Sequence, residues 1–263
     1  MSNEGLIDIG ANITHPQLYN QLDKIITNIE NSNTNNVIIT SSNLSDTKLA
    51  LEIINKYPGI FYTTVGYHPH NAKDFSQENI RPIKDYTQDK NIIAIGECGL
   101  DYYREYSSRK EQEFCFEQQL VIAKDIDLPV FLHERHAHKD FVKILGQHIN
   151  DISNSVVHCF TGNKDELSKY LDMGCYIGIT GWISDIERGS HLLQLLKYIP
   201  TDRLMIETDS PYLTPKNLPF NNDGVNQPSY LSYVAETVAE CLNKDIEFIS
   251  NITSDNTKRF FSI

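Results

Sequence analysis

Five short apolar runs in this sequence end in residues that can hold a metal or move a proton. They are Val65-Gly-Tyr-His68-Pro-His70, Ile95-Gly-Glu97-Cys-Gly-Leu-Asp101, Phe131-Leu-His133-Glu-Arg135, Val156-Val-His158-Cys-Phe160 and Ile206-Glu-Thr-Asp209. Each residue has an ordinary structural reading when taken alone. A histidine after an apolar strand commonly caps a helix or sits hydrogen-bonded in the core, and Glu97 or Asp209 could cap whatever helix follows. Together they ask for more. The imidazoles of His133 and His158 and the carboxylates of Glu97 and Asp209, placed at one end of several strands, need a shared reason, because unpaired buried charge is costly. A divalent cation supplies that reason. Imidazole with carboxylate suits zinc, manganese or iron, and a carboxylate-rich rim also holds magnesium.

The elements that must position these residues can be read from periodicity. Eight apolar runs of β-branched character recur along the chain: Leu6–Asn12, Val37–Ser42, Phe61–His68, Ile92–Glu97, Pro129–His133, Val156–His158, Tyr176–Gly181 and Leu204–Asp209. Each is followed by a segment of helical pattern, so the strands should form a parallel sheet. Eight βα units are the number that closes a (β/α)₈ barrel, and residues 1–263 are expected to be one such barrel with extra helices after residue 229 packed outside. In that fold the active site forms at the C-terminal ends of the strands, where the ionisable groups fall. Alternation groups Ile93, Ile95 and Glu97 on one face, then Phe131, His133 and Arg135, then Met205, Glu207 and Asp209. Helix starts are expected at Ser45-Asp46, Ser107-Ser108 and Asn163. His136 and His138 read as residues of the following loop and helix start. Cys98 and Cys159 alternate away from the site and read as small buried thiols.

Composition narrows the partners. The formal net charge is −12, which counts against a protein that coats duplex DNA by neutralising phosphates. It leaves room for an enzyme, because bound cations can supply a local positive field. Five cysteines, an odd number with no C-x-x-C pair, fit a reducing compartment and a cytoplasmic protein. The N-terminus shows neither a basic region nor an apolar stretch of signal length, and no run reaches membrane-spanning length.

With these residues in hand, the chain resembles the TatD family of metal-dependent deoxyribonucleases, a branch of the amidohydrolase-type barrels. The resemblance is carried by Asp8-Ile-Gly-Ala-Asn-Ile-Thr14, Val65-Gly-Tyr-His-Pro-His70, Ile95-Gly-Glu-Cys-Gly-Leu-Asp-Tyr-Tyr-Arg104, His158-Cys-Phe-Thr-Gly162, Tyr176-Ile-Gly-Ile-Thr-Gly-Trp182 and Ile206-Glu-Thr-Asp-Ser-Pro-Tyr-Leu213. It implies that Glu97 is a carboxylate able to bridge two metals, that His133 and His158 are imidazole ligands, and that Asp209 is a ligand that also handles the water proton. His68 is similar to a rim histidine that meets the phosphate. Most of the wider group begins D-x-H-x-H, whereas Gly10 and Asn12 stand at those histidine positions here, a change the TatD branch shares. One tight metal position and a weaker second are therefore expected, with Mg²⁺ in use and Mn²⁺ or Zn²⁺ as alternatives. Asn226-Gln-Pro228 stands where the family has N-E-P.

The expected reaction is metal-assisted hydrolysis of a phosphodiester. Asp209 accepts the water's proton, and His68, Arg135 and Asn12 meet phosphate oxygens. Tyr102, Tyr103, Trp182 and Tyr212 stand where bases of a single strand could stack. The resemblance implies 3′-to-5′ trimming of single-stranded DNA, and RNA as a further substrate, in DNA repair or turnover, with no membrane and no obligate protein partner. Two other readings stay open. The same site could cleave another ester, such as a small phosphoester or an aminoacyl-tRNA linkage, since fold alone does not fix chemistry. The missing histidines at 10 and 12 would also suit a metal-poor binding protein.

Overall fold

A computed structural model describes residues 5–263, and the opening Met1-Ser2-Asn3-Glu4, read above for targeting signals, lies outside them. All eight expected strands form: β1 (Leu6–Ala11), β2 (Thr34–Ile39), β3 (Phe61–Val65), β4 (Ile92–Asp101), β5 (Val130–Arg135), β6 (Ser155–Val157), β7 (Tyr176–Ile179) and β8 (Leu204–Ile206). They lie in a single sheet in sequence order. Every strand pair whose register is defined is parallel, and Ala11 bridges Ser210 beside β1 and β8. Helices separate the strands, which is the plan of a (β/α)₈ barrel. Nearly every strand residue is buried, as a sheet covered on both faces requires.

The chain divides into two compact units. One holds the described residues up to Ile39, Cys159–Ser168 and Tyr176–Ile263; it contains β1, β2, β7 and β8 and the two closing helices, Leu231–Leu242 and Ile246–Phe261. These are the helices expected after residue 229. The other holds Thr40–His158 and Lys169–Cys175, with β3 to β6.

Helix starts follow side-chain capping, with one change from expectation. Ser108 caps the helix Arg109–Ile126 in a reciprocal box with Glu111. Asn163 accepts the N–H groups of Asp165 and Glu166 ahead of the helix Lys164–Asp172. Ser45-Asp46, however, lie inside their helix. The cap of Leu44–Lys56 is Asn43, whose Oδ1 accepts the N–H groups of Ser45 (2.9 Å) and Asp46 (3.0 Å). Asn, Ser and Asp cap about equally well, and Asn43 takes the position because its backbone is extended while Ser45 and Asp46 are already helical.

In the first unit Asp8 is fully buried. Its Oδ1 accepts the N–H groups of Thr208 (2.9 Å) and Gly10 (3.2 Å), and its Oδ2 meets Thr208 Oγ1. Burial pushes the Asp8 carboxyl up to about 8 against these hydrogen bonds, with Glu207 adding to the rise. The unfolded chain ionises near 4 while the folded chain keeps the proton, so folding takes up a proton between the two values. Stability from this group is complete below about pH 4 and is lost as pH rises toward 8. Asp8→Asn mimics the protonated acid. The melting temperature of the wild type should fall relative to the variant across that window, by the equivalent of a few kcal/mol, and the two should run parallel below pH 4. A constant offset from pH 4 to pH 8 would show that Asp8 is ionised in the folded protein.

Candidate metal centre

Glu97 lies on β4 between two glycines whose missing side chains let the strand pass against β5. At Gly96 (φ 143°) a Cβ would collide with the Phe131 carbonyl, and at Gly99 (φ 146°) with that of His133. Only glycine combines this backbone with that approach. The close passage sets Glu97 against the side chains arriving from β5 and β6. Glu97 Oε1 lies 2.7 Å from His133 Nδ1, 2.7 Å from His158 Nε2 and 3.3 Å from His68 Nε2. His133 Nδ1 and His158 Nε2 are themselves 3.2 Å apart. His68, Glu97 and His133 offer donor atoms within 4.8 Å of one another, the spread of a metal-binding group.

The electrostatics follow from this crowding. Burial alone would push the Glu97 carboxyl up, but the imidazoles of His158, His68 and His133 around it outweigh burial and hold it well below the usual carboxylate range. Burial lowers His68 to about 4 despite Glu97 beside it, so His68 is neutral at pH 7. Its tautomer is set by its neighbour. His68 caps the turn Pro69–Asp74, its Nδ1 accepting the N–H of His70 at 3.1 Å. The proton therefore sits on Nε2, which faces Glu97 as a donor. That is the form that can donate to a phosphate oxygen, rather than the lone pair a metal needs.

Two residues outside the sequence-derived site set complete the cluster. Asp101, almost wholly buried at the end of β4, bonds His70 Nε2 at 2.7 Å and faces His133 Nε2 at 3.7 Å. Burial would raise its carboxyl, yet the imidazoles of His133 and His70 and the N–H of Arg104 hold it well below the usual range. The signal was present in the second histidine of His68-Pro-His70 and in an aspartate closing a ten-residue strand. It was hidden because the two residues meet across 31 positions of sequence. Burial would lower His133, but Asp101 and Glu97 outweigh it and raise its pKa. His133 Nε2 is buried with no hydrogen-bond partner, an open donor position of the kind a ligating imidazole needs. With the imidazoles of His133 and His158, a carboxylate held ionised and an orphaned ring nitrogen, the residues fit a divalent cation.

The turn after His133 is less solvated than its sequence suggests. His136 is exposed, but Glu134 accepts the Tyr170 hydroxyl (2.8 Å) and the Ala137 N–H (2.7 Å), and His138 Nδ1 lies 2.9 Å from the same hydroxyl. This network fixes the exit of β5.

In the other unit Asp209 sits in left-handed backbone (φ 52°), so the strand alternation expected to run through it stops after Ile206. No helix begins there. Its Oδ1 accepts Asn12 Nδ2 at 3.0 Å, and Asn12 also donates to the Ser210 carbonyl at 3.2 Å. Asn12, expected to meet phosphate, thus orients Asp209. Glu207 is fully buried and accepts the Cys159 N–H at 2.5 Å. Cys98 is buried as expected, but Cys159 is only partly so, because its backbone turns through φ 46° as it leaves β6. Gln227 accepts Asn28 Nδ2 at 2.7 Å, tying its loop to the helix Leu22–Glu30. A cavity of about 710 Å³ in this unit is lined by Trp182, Arg188, Tyr212 and Phe220 among others.

The model of the family described as TatD related DNase matches residues 7–262. The chain belongs to the TatD family. Among TatD relatives, a protein of Edwardsiella piscicida named 3′-5′ ssDNA/RNA exonuclease TatD is 37% identical over 259 residues, 98% of this chain and 100% of that one. The like-named protein of Pantoea ananatis is 34% identical over the same length, with the same coverage. Of solved structures, a TatD family hydrolase from Entamoeba histolytica superposes with a TM-score of 0.89 at 27% identity, covering 98% of each chain. A TatD homologue from Escherichia coli gives 0.89 at 22% identity over 99% of each chain, a likeness of fold. The chain is thus a hydrolase of a metal-dependent nuclease family, with a candidate His/Glu metal site. Among the described residues no helix is long and apolar enough to cross a membrane.

Proposed function

We propose that this TatD-family hydrolase trims single-stranded DNA or RNA from the 3′ end, one phosphodiester at a time. The observation that carries this is the convergence of His68, His133 and His158 on one oxygen of Glu97, in a chain aligned from end to end with relatives named for that activity. Glu97, His133 and His158 would hold the cation, with Asp209 as a further carboxylate. A divalent cation there supplies a Lewis acid for a phosphoryl oxygen and a lower pKa for the attacking water.

The chain's own groups do the rest. Neutral His68 donates its Nε2 proton to a phosphate oxygen, and Asp209, oriented by Asn12, accepts the proton of the water. Arg135 offsets phosphate charge. Mg²⁺ is the working ion in this reading, with Mn²⁺ or Zn²⁺ as substitutes. A second cation would bind more weakly, because Gly10 and Asn12 bring no imidazole to β1. Five free cysteines support a cytoplasmic setting, and trimming of single strands would suit DNA repair or turnover.

The test is digestion of single strands and duplexes labelled at the 5′ or the 3′ end. A 5′ label should appear in a ladder shortening by single nucleotides, and a 3′ label as mononucleotide at once. Duplexes should be cut more slowly. Release of 5′-labelled mononucleotide first, or turnover of small phosphomonoesters alone, would overturn the proposal.

A further inference from the structure

We propose that Tyr103, Arg104 and Arg135 form a platform that grips a single-stranded polynucleotide next to the metal cluster. The inference rests on the nuclease reading and adds the part of the strand that is not being cleaved.

The placement is fixed by backbone. Arg135 follows His133 by two residues on β5, and its Cα is in register with that of Asp101 on β4. Tyr102 N–H donates to the Arg135 carbonyl at 2.9 Å. The same Asp101 that faces His133 uses its Oδ1 to accept the N–H groups of Tyr103 (2.9 Å) and Arg104 (2.8 Å). One buried carboxylate thus anchors the platform and the ligand shell together.

The side chains then gather around one ring. The Arg135 guanidinium lies 4.1 Å from the Tyr103 ring centroid, that of Arg104 lies 5.6 Å away, and His136 meets the ring edge-on at 5.1 Å. Tyr103 is nevertheless 55% exposed, and Tyr106 from the same loop is 57% exposed. Exposed aromatic rings beside cationic groups are what single-strand binding uses, because every base offers a stacking face.

Charge points the same way. Arg81, Arg109, Arg188 and Arg203 each face a carboxylate, at 3.8, 2.5, 2.6 and 3.2 Å. Among the described residues, Arg104, Arg135 and Arg259 have no such ion pair; Arg259 donates to Asn256 instead, and Arg104 and Arg135 flank Asp101. In a chain of net charge −12, two arginines without a carboxylate partner beside this cluster suit a phosphate ligand. A guanidinium stacked on a ring keeps its N–H fork free in its own plane for phosphate.

The experiment measures binding of a fluorescent phosphorothioate oligonucleotide to the full chain in Mg²⁺ as a function of salt. Each single-strand phosphate contact contributes about 0.7 to the slope of log affinity against log salt. The wild-type slope should be shallow, and Arg104→Ala and Arg135→Ala should each reduce it by about 0.7. Tyr103→Ala should weaken affinity about tenfold at unchanged slope, while Tyr103→Phe keeps wild-type affinity. Arg81→Ala removes the same charge from a paired surface site and should change neither. The proposal is overturned if both platform arginine variants keep the wild-type slope, if Tyr103→Ala binds like wild type, or if duplex binds as tightly as single strand. Binding that depends on the platform without any strand cleavage would instead count against the nuclease reading alone.

Discussion

Removal of divalent cations should abolish hydrolysis, and Mg²⁺ or Mn²⁺ should restore it. The expectation follows from the sign of the charges around Glu97. The Glu97 and Asp101 carboxylates are both held ionised, and His68 is neutral at working pH. A phosphodiester approaching these groups brings further negative charge, which grows as its bond to the attacking oxygen forms. Arg135 and Arg104 lie along the strand's path and not within the cluster, so the protein alone offers little positive charge where it is needed. A bound cation reverses that local field. Stabilisation of this kind is worth several kcal/mol in the transition state, so its loss should cost roughly three or more orders of magnitude in rate. The measurement is turnover of a labelled single strand after exhaustive chelation, with elemental analysis to establish that no metal remains. Full activity in metal-free protein would sink the mechanism. The order in which Mg²⁺, Mn²⁺ and Zn²⁺ restore activity identifies the working ion.

Glu97→Gln should reduce turnover by roughly two to four orders of magnitude while the protein stays folded. The substitution keeps volume and one acceptor oxygen but removes the charge that the three imidazoles surround. The fold is expected to survive because the local structure rests on other groups. The Glu97 N–H donates to the Ser41 carbonyl at 3.1 Å, and Ile95, Cys98 and Leu100 on either side are fully buried. Metal content after dialysis should fall with the rate, which separates loss of a ligand from loss of a proton carrier. In Cys98→Ala, by contrast, most activity should remain, with about 1 kcal/mol of stability lost from a small core site. A normal rate in folded Glu97→Gln would mean that the reaction takes place elsewhere.

Much of this architecture was legible before any coordinates. Eight β-branched runs spaced by helical segments specified the strands, and the residues closing them included Glu97, His133 and His158, because a parallel barrel presents all its strand ends at one rim. What stayed hidden was set by contacts rather than by pattern. The partnership of His70 with Asp101 spans 31 positions, and neither residue stands out by composition. The role of His68 turned on which ring nitrogen its own turn occupies, and periodicity carries no information about tautomers. The role of Glu134 was hidden because its partner, Tyr170, comes from the helix after the next strand. The phase assumed for Asp209 failed for a backbone reason, since alternation ends where φ turns positive.

That left-handed turn at Asp209 constrains which amino acids can follow it in evolution. Asparagine and aspartate tolerate this backbone far better than bulkier or branched residues. Asparagine would also keep the carbonyl oxygen that accepts Asn12 Nδ2 at 3.0 Å. A chain without the proposed proton acceptor would therefore be a single conservative exchange away, with its fold and the proposed strand-gripping surface intact. Gene duplicates carrying that exchange could persist as nucleic-acid binders that shield 3′ ends instead of consuming them.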